Sequence, residues 1–186
     1  LVEEHTRNLN ALDASIKTLE HDISDTVTKI RNLKQGIKPY PIEVSVMRDV
    51  ITRRLAEIHG QPVDVKPLCE LADVTDETWR NAVEGYLAGH RFSLFVQPQY
   101  IPDALEIFHE EYRNKGTSGV GIVDTRKCLD EAVPDPASLS SAVECKTRHV
   151  AGFLYGMLNP VVMADNVSVI QNHPVAMTSS CVVHED

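Results

Sequence analysis

Apolar residues in the first forty positions recur in a 3-4-3-4 rhythm. Val2, Leu9, Leu12, Ile16, Leu19, Ile23, Ile30, Leu33 and Ile37 fall on heptad a and d positions, with His5 and Thr26 as the exceptions. Such a stripe is narrower than the apolar face of a helix lying on a globular core, and it predicts a coiled-coil seam. Ile at a with Leu at d favours two strands. Glu20, Asp22, Lys29, Arg31 and Lys34 lie between the seam positions and keep the other faces wet. Gly36, Pro39 and Pro41 then remove helix propensity and backbone donors, so the predicted arm spans 1–38. At about 1.5 Å per residue it would reach roughly 55 Å. An amphipathic helix packed on its own domain is the alternative reading of the same stripe. A lone rod leaves its seam bare, so the coiled-coil reading calls for a partner strand from another chain or from elsewhere in a longer protein.

Beyond residue 41 the rhythm changes. Val44, Met47, Val50, Ile51, Leu55 and Ile58 follow a helical period that Gly60 and Pro62 end. Residues 63–74 read as extended, with Pro67 at an edge or a break. Asp76 is placed to cap a helix whose face carries Trp79, Ala82, Val83, Tyr86 and Leu87, closed by Gly89. Residues 92–96 predict a buried strand, and a helix follows Pro98 as far as Tyr112. Residues 119–123 predict another strand, ending at Asp124. After the turn at Pro134, Asp135 and Pro136, the pattern predicts a helix over 139–158 kinked near Glu144 and a strand over 161–164. A short helix over 166–172 and a last strand over 175–183 complete the order. The alternation points to a mixed α/β fold in two lobes, 42–130 and 131–186, behind the arm.

The chain has 186 residues, 42% of them hydrophobic and 24% charged, which suits a globular chain with a real core. Its longest apolar runs fall far short of the ~20 residues that cross a bilayer. No charged-then-apolar leader opens the chain, so the expected setting is cytoplasmic, away from membranes. Four dispersed cysteines, Cys69, Cys128, Cys145 and Cys181, are expected as reduced thiols. The chain opens on Leu1, and the reading takes it as a piece of something longer. Residues 1–41 carry six basic and six acidic residues, whereas 42–186 carry twelve against twenty-one, the whole net charge of −9. A domain this acidic repels polyphosphates unless its cations cluster. Arg48, Arg53 and Arg54 form the cluster that could touch DNA, or else a wet helix face.

Motifs for chemistry are sparse. Gly116, Gly119 and Gly121 run into Ile122 and Val123 without the Gly-Lys-Ser/Thr of a phosphate loop, and neither a Gly-x-Ser-x-Gly elbow nor a His-Glu-x-x-His helix occurs. Cys145, His149, Cys181 and His184 are ligand types that zinc accepts, but their spacing matches no common knuckle. Glu106, His109 and Glu110 share a helix face that could serve acid-base work or simply be solvated. Trp79, Tyr86 and Phe92 could line a ligand pocket in an α/β sensing domain joined to a coiled-coil dimer, the alternative function for this chain. No cofactor is expected in the fragment itself.

A stronger signal lies in local sequence. The run Trp79-Arg80-Asn81-Ala82-Val83-Glu84-Gly85-Tyr86-Leu87, then Arg91-Phe92, preceded by Pro67-Leu68-Cys69-Glu70-Leu71, resembles the hinge of SMC-like ATPases of bacterial Wadjet plasmid-defence systems. The stretch Ala151-Gly152-Phe153-Leu154-Tyr155-Gly156-Met157-Leu158, followed by Val161-Val162, resembles the second-lobe element of such hinges. Val175-Ala176-Met177-Thr178 resembles the threonine-bearing strand that follows this element in SMC hinges generally. The similarity covers roughly residues 63–183.

The resemblance implies a two-lobed, non-catalytic homodimerisation hinge in the middle of a condensin-like ATPase. Two such hinges join two subunits into a clamp or ring that extrudes DNA loops. It also implies ATP and Mg in distant head domains. The implied partners are kleisin-like, winged-helix and nuclease subunits, with the complex acting on plasmid DNA in the nucleoid space. Exposed strand edges for pairing with a mate are expected at Gly119, Val120, Gly121 and Ile122 and at Val182 and Val183, unless these are inner strands of each lobe's own sheet. Ordinary SMC hinges carry denser glycine clusters than Gly116, Gly119 and Gly121.

Overall fold

The computed structural model describes residues 12–24, 26–27, 30, 41–115, 119–128 and 132–185. The chain divides into two units, Leu1–Pro39 and Tyr40–Asp186. In the first, residues 12–24 form helix α1, on which the seam residues Leu12, Ile16, Leu19 and Ile23 are all more than half exposed, and Ile30 beyond them is 46% exposed. Val2, His5, Leu9, Leu33 and Ile37 lie outside the described residues.

The second unit opens with helix α2, Ile42–His59, which buries Val44, Met47, Ile51 and Leu55 along one face. Gly60 stops it in the left-handed conformation at φ 66°, where only glycine is unstrained, and its N–H donates to Ala56 O. The extended stretch expected over 63–74 is interrupted. Strand β1, Lys66–Pro67, leads into a single helical turn, α3, Leu68–Leu71, and then strand β2, Ala72–Val74. Asp76 accepts a hydrogen bond from the Thr78 N–H and so caps a 3-10 turn, Glu77–Trp79, from which α4, Arg80–Leu87, continues. That helix yields to a second 3-10 turn, Ala88–Phe92, rather than ending at Gly89. Strand β3 is two residues, Leu94–Phe95, and α5 covers Ile101–Lys115.

Two further expectations are corrected. Residues 119–123 form no strand of their own, meeting β3 only through a parallel bridge between Leu94 and Ile122. The helix expected over 139–158 is three elements: a 3-10 turn Leu139–Ala142, strand β4 Val143–Cys145, and α6 Arg148–Leu158. Ser138 caps the turn by accepting from the Ser140 N–H, and β4 is drawn out of helix by pairing antiparallel with β2, Ala72 opposite Cys145. Strand β5 is Val162–Ala164, α7 is Val167–Ile170, β6 is Val175–Thr178 and β7 is Val183–Glu185. In the last sheet β6 lies between β5, parallel to it, and β7, antiparallel to it.

The apolar cores do not follow the turn at 134–136. One cluster is drawn wholly from before it: Val44, Ile51, Leu55, Leu94, Ile101 and Ile107 are prominent members, with Val120. The second mixes Leu68, Val83 and Phe95 with Leu139, Leu154, Leu158 and Val161, so the two expected lobes share a core. The segment joining them is clasped by the buried Ser138 and Ser140 and the half-buried Asn159. Ser140 Oγ accepts from the Asp135 N–H at 2.9 Å and lies 2.6 Å from Ser138 Oγ. Asn159 accepts from the same N–H and donates to Val133 O.

Cys145 sits against the second cluster, and burial pushes its thiol up to about 11, with a hydrogen bond to Tyr155 opposing that shift. Cys181 is exposed. Two outcomes are expected. Leu154→Ala, removing a side chain that is 1% exposed, lowers unfolding free energy by about 3 kcal/mol in denaturant melts. In thiol titration of the folded chain at pH 8, Cys181 reacts first and Cys145 last, because the raised pKa keeps Cys145 protonated; peptide mapping of the labelled sites reads the order.

Candidate functional site

Backbone polarity identifies the surfaces open to a partner. The Leu94 N–H donates to Gly121 O at 2.7 Å, and the Val123 N–H donates to Leu94 O at 3.0 Å. Gly121 and Val123 thus spend their backbone groups on β3. Strand alternation turns the N–H and C=O of Ile122 the other way, where no backbone partner meets them among the described residues. The side chains point inward here: Val120 is buried and Ile122 half-buried against the first core. Gly119 starts the segment at φ 88°, and a Cβ on Gly121 would lie 3.4 Å from Ser93 Oγ.

A second open edge lies at β7. The Thr178 N–H donates to Val182 O at 2.9 Å, so this pair faces inward across the hairpin, as must Ala176 and His184 two residues further on. Val183 and Glu185, between and beyond them, therefore turn their N–H and C=O outward from a sheet in which β7 is the edge among the described residues. Val182 and Val183 are 39% and 48% exposed. The turn that delivers this edge is organised by Thr178, which sequence reasoning assigned no role in the contact. Its buried Oγ1 accepts from the Val182 N–H at 3.1 Å and lies 2.9 Å from Ser180 Oγ, while Cys181 takes a left-handed φ of 67°. The local signal was available: a threonine followed by two serines is a run of turn-forming hydroxyls.

The arginines expected to reach DNA are on α2, each beside a carboxylate. Arg48 donates to Asp49 Oδ1 through Nε at 3.0 Å and Nη2 at 2.9 Å, with Glu70 at 3.9 Å. Arg53 lies 4.0 Å from Glu57, and Arg54 donates to Glu110 at 2.6 Å. Their charge is matched locally, which leaves little positive field. The same contact occupies Glu110, and Glu106 and His109 stand exposed on α5, so that trio forms no enclosed acid-base site.

Other sequence candidates are not assembled. Trp79 and Tyr86 pack on the second core and Phe92 on the first. Tyr86 instead lines an open hollow of about 380 Å³ with Gly85, Met157, Met177, Val183 and Glu185. Burial, and secondarily the Glu185 carboxylate, raises its phenol pKa. No group of three or more His, Cys, Asp or Glu residues is placed to hold a metal among the described residues, and Cys145 is engaged with Tyr155. Among the described residues no helix is long and apolar enough to cross a membrane.

No family model matches the sequence, and no curated protein is similar to it. Solved structures are. The asymmetric dimer of the Geobacillus stearothermophilus SMC hinge domain is similar over 92% of this chain and 77% of that one, at TM-score 0.53 and 14% identity. The Pyrococcus furiosus SMC protein hinge domain is similar over 77% and 81%, at TM-score 0.52 and 15% identity. The folded elbow of cohesin is similar over 90% of this chain at TM-score 0.57 and 18% identity, and this chain spans 25% of its length. Likeness at such identities speaks for the fold, and the fold of this mixed α/β chain is that of an SMC hinge domain.

Proposed function

We propose that this chain is a homodimerisation hinge. The observation that carries the reading is the pair of half-used edges, Ile122 beside β3 and Val183 with Glu185 on β7, each with one side paired and the other open. Around a twofold axis, the 119–122 segment of one protomer takes the 182–183 edge of the other, and the reciprocal pair forms by symmetry. Gly119, Val120, Gly121, Ile122, Val182 and Val183 make this contact. The Geobacillus hinge, a structure of an asymmetric dimer, supports the same role here. In this reading 1–38 is the arm and 42–130 and 131–186 are the hinge lobes, joined through their common core.

The parent protein, in the same proposal, is an SMC-like ATPase of a Wadjet plasmid-defence complex. It carries ATP and Mg in its heads and works with kleisin-like, winged-helix and nuclease subunits to extrude DNA loops. The support is the run from Pro67 to Phe92 and its second-lobe counterpart. The hinge itself catalyses nothing and holds the two subunits together. With Arg48, Arg53 and Arg54 each beside a carboxylate, it contacts DNA weakly.

Light scattering on the full chain and on one starting at Ile42 should give dimers in both cases. Val183→Pro tests the edge, because a proline there removes an outward N–H, and trims one side chain beside it, while sparing the hydrogen bonds of the hairpin to β6. Each ladder bond lost is expected to raise the dissociation constant about tenfold. A dimer indifferent to Val183→Pro that falls to monomer without residues 1–41 would make the coiled coil the joining element and favour the sensing-domain alternative.

For DNA, anisotropy of a labelled duplex should show negligible binding near physiological salt. Affinity that persists there, with a salt slope corresponding to about three phosphates, would mean that the arginines exchange their carboxylates for the backbone.

A further inference from the structure

Two ladders of this length give little contact, and a stable interface buries about 800 Å² on each side. More surface must therefore meet the mate beside the β7 edge. The hollow of about 380 Å³ adjoins that edge: Val183 and Glu185 of β7 form part of its wall, and Tyr86 of α4, Met157 of α6 and Met177 of β6 form much of the rest. Apart from His90 and Glu185 the lining is largely apolar, and two methionines give it side chains that adjust to what they meet.

Gly85 lies in the same wall. Glycine weakens a helix interior relative to alanine. Its backbone is ordinary helix in α4, and a Cβ built there would meet no atom within 4 Å. Nothing in the protomer's own packing calls for glycine at this position. The absent side chain leaves the surface of α4 low beside the hollow.

We propose, resting on the hinge-dimer reading, that this hollow receives apolar side chains of a second copy of the chain, and that Gly85 keeps the surface of α4 low enough to admit them. The contact thus extends from the β7 edge across α4 and α6, and a substantial part of the buried area comes from side chains rather than from the ladder.

The test uses the full chain in two forms. With methyl-labelled methionine, the Met157 and Met177 signals should shift as the sample is diluted from dimer to monomer, while Met47, which is 2% exposed in the first core, stays fixed. Gly85→Trp should keep the wild-type circular dichroism and melt at or above the wild-type temperature, since a Cβ here meets no atom within 4 Å and glycine is the weaker helix former, yet raise the dissociation constant about tenfold or more. Gly85→Ala should raise the melting temperature through helix propensity. Constant Met157 and Met177 signals across a dilution that halves the mass would overturn the proposal, as would a folded Gly85→Trp that dimerises like wild type. If that variant dimerises normally while Val183→Pro is monomeric, the hollow fails and the edge stands. If Gly85→Trp is monomeric and Val183→Pro is not, the hollow stands and the edge fails. A wild-type chain without residues 1–41 that is monomeric at every concentration removes both.

Discussion

Leu94 and Phe95 face opposite ways, and both large cores depend on that alternation. Leu94 is fully buried in the cluster built on α2 and α5, and Phe95 is buried among residues of α3, α4 and α6. The strand they form is flanked on one side by Lys66–Pro67, antiparallel, and on the other by the parallel bridge to Ile122. A two-residue strand thus partitions the unit and fixes the backbone of 119–123. Slipping its register by one residue would exchange the two side chains between cores of different shape. The outward turn of the Ile122 N–H and C=O follows from the same pairing, so the open edge is a consequence of how the interior is divided.

What could be read from the residues was mostly local. α2 was legible because five turns of apolar spacing end at Gly60, and α5 because Pro98 and the run to Tyr112 mark it. The stretch 139–158 was misread because Leu139, Ala142, Val143, Val150 and Leu154 suit a helix as well as they suit a turn, a strand and a shorter helix. What decides between them is the pairing of Val143–Cys145 with Ala72–Val74, a contact remote in sequence. In the same way 63–74 looked extended throughout, since nothing local marks Leu68–Leu71 as one helical turn.

The open backbone edges were legible in part. Gly119 to Ile122 and Val182 with Val183 could be named from apolar runs beside breakers, but which side of each backbone is free follows only from the hydrogen bonds of Leu94 and Thr178. The hollow could not be read at all, because Tyr86, Met157 and Met177 are contributed by three elements distant along the chain. The arginines show the converse failure. Arg48 and Arg53 have acidic neighbours visible in sequence, yet Glu110, the partner of Arg54, lies across the α2–α5 contact.

The ladder between β2 and β4 also has a consequence in time. It closes a loop of about seventy residues, the kind of long-range closure that is slow and entropically costly. The first core needs nothing beyond residue 122, so it can assemble on the ribosome while the rest is still being made. The second waits for Leu139, Leu154 and Val161, and until they arrive Leu68, Val83 and Phe95 are uncovered. During synthesis the nascent chain therefore passes through a half-built state with one finished face and one adhesive face, and that interval is when it is most exposed to misassembly and to chaperone capture.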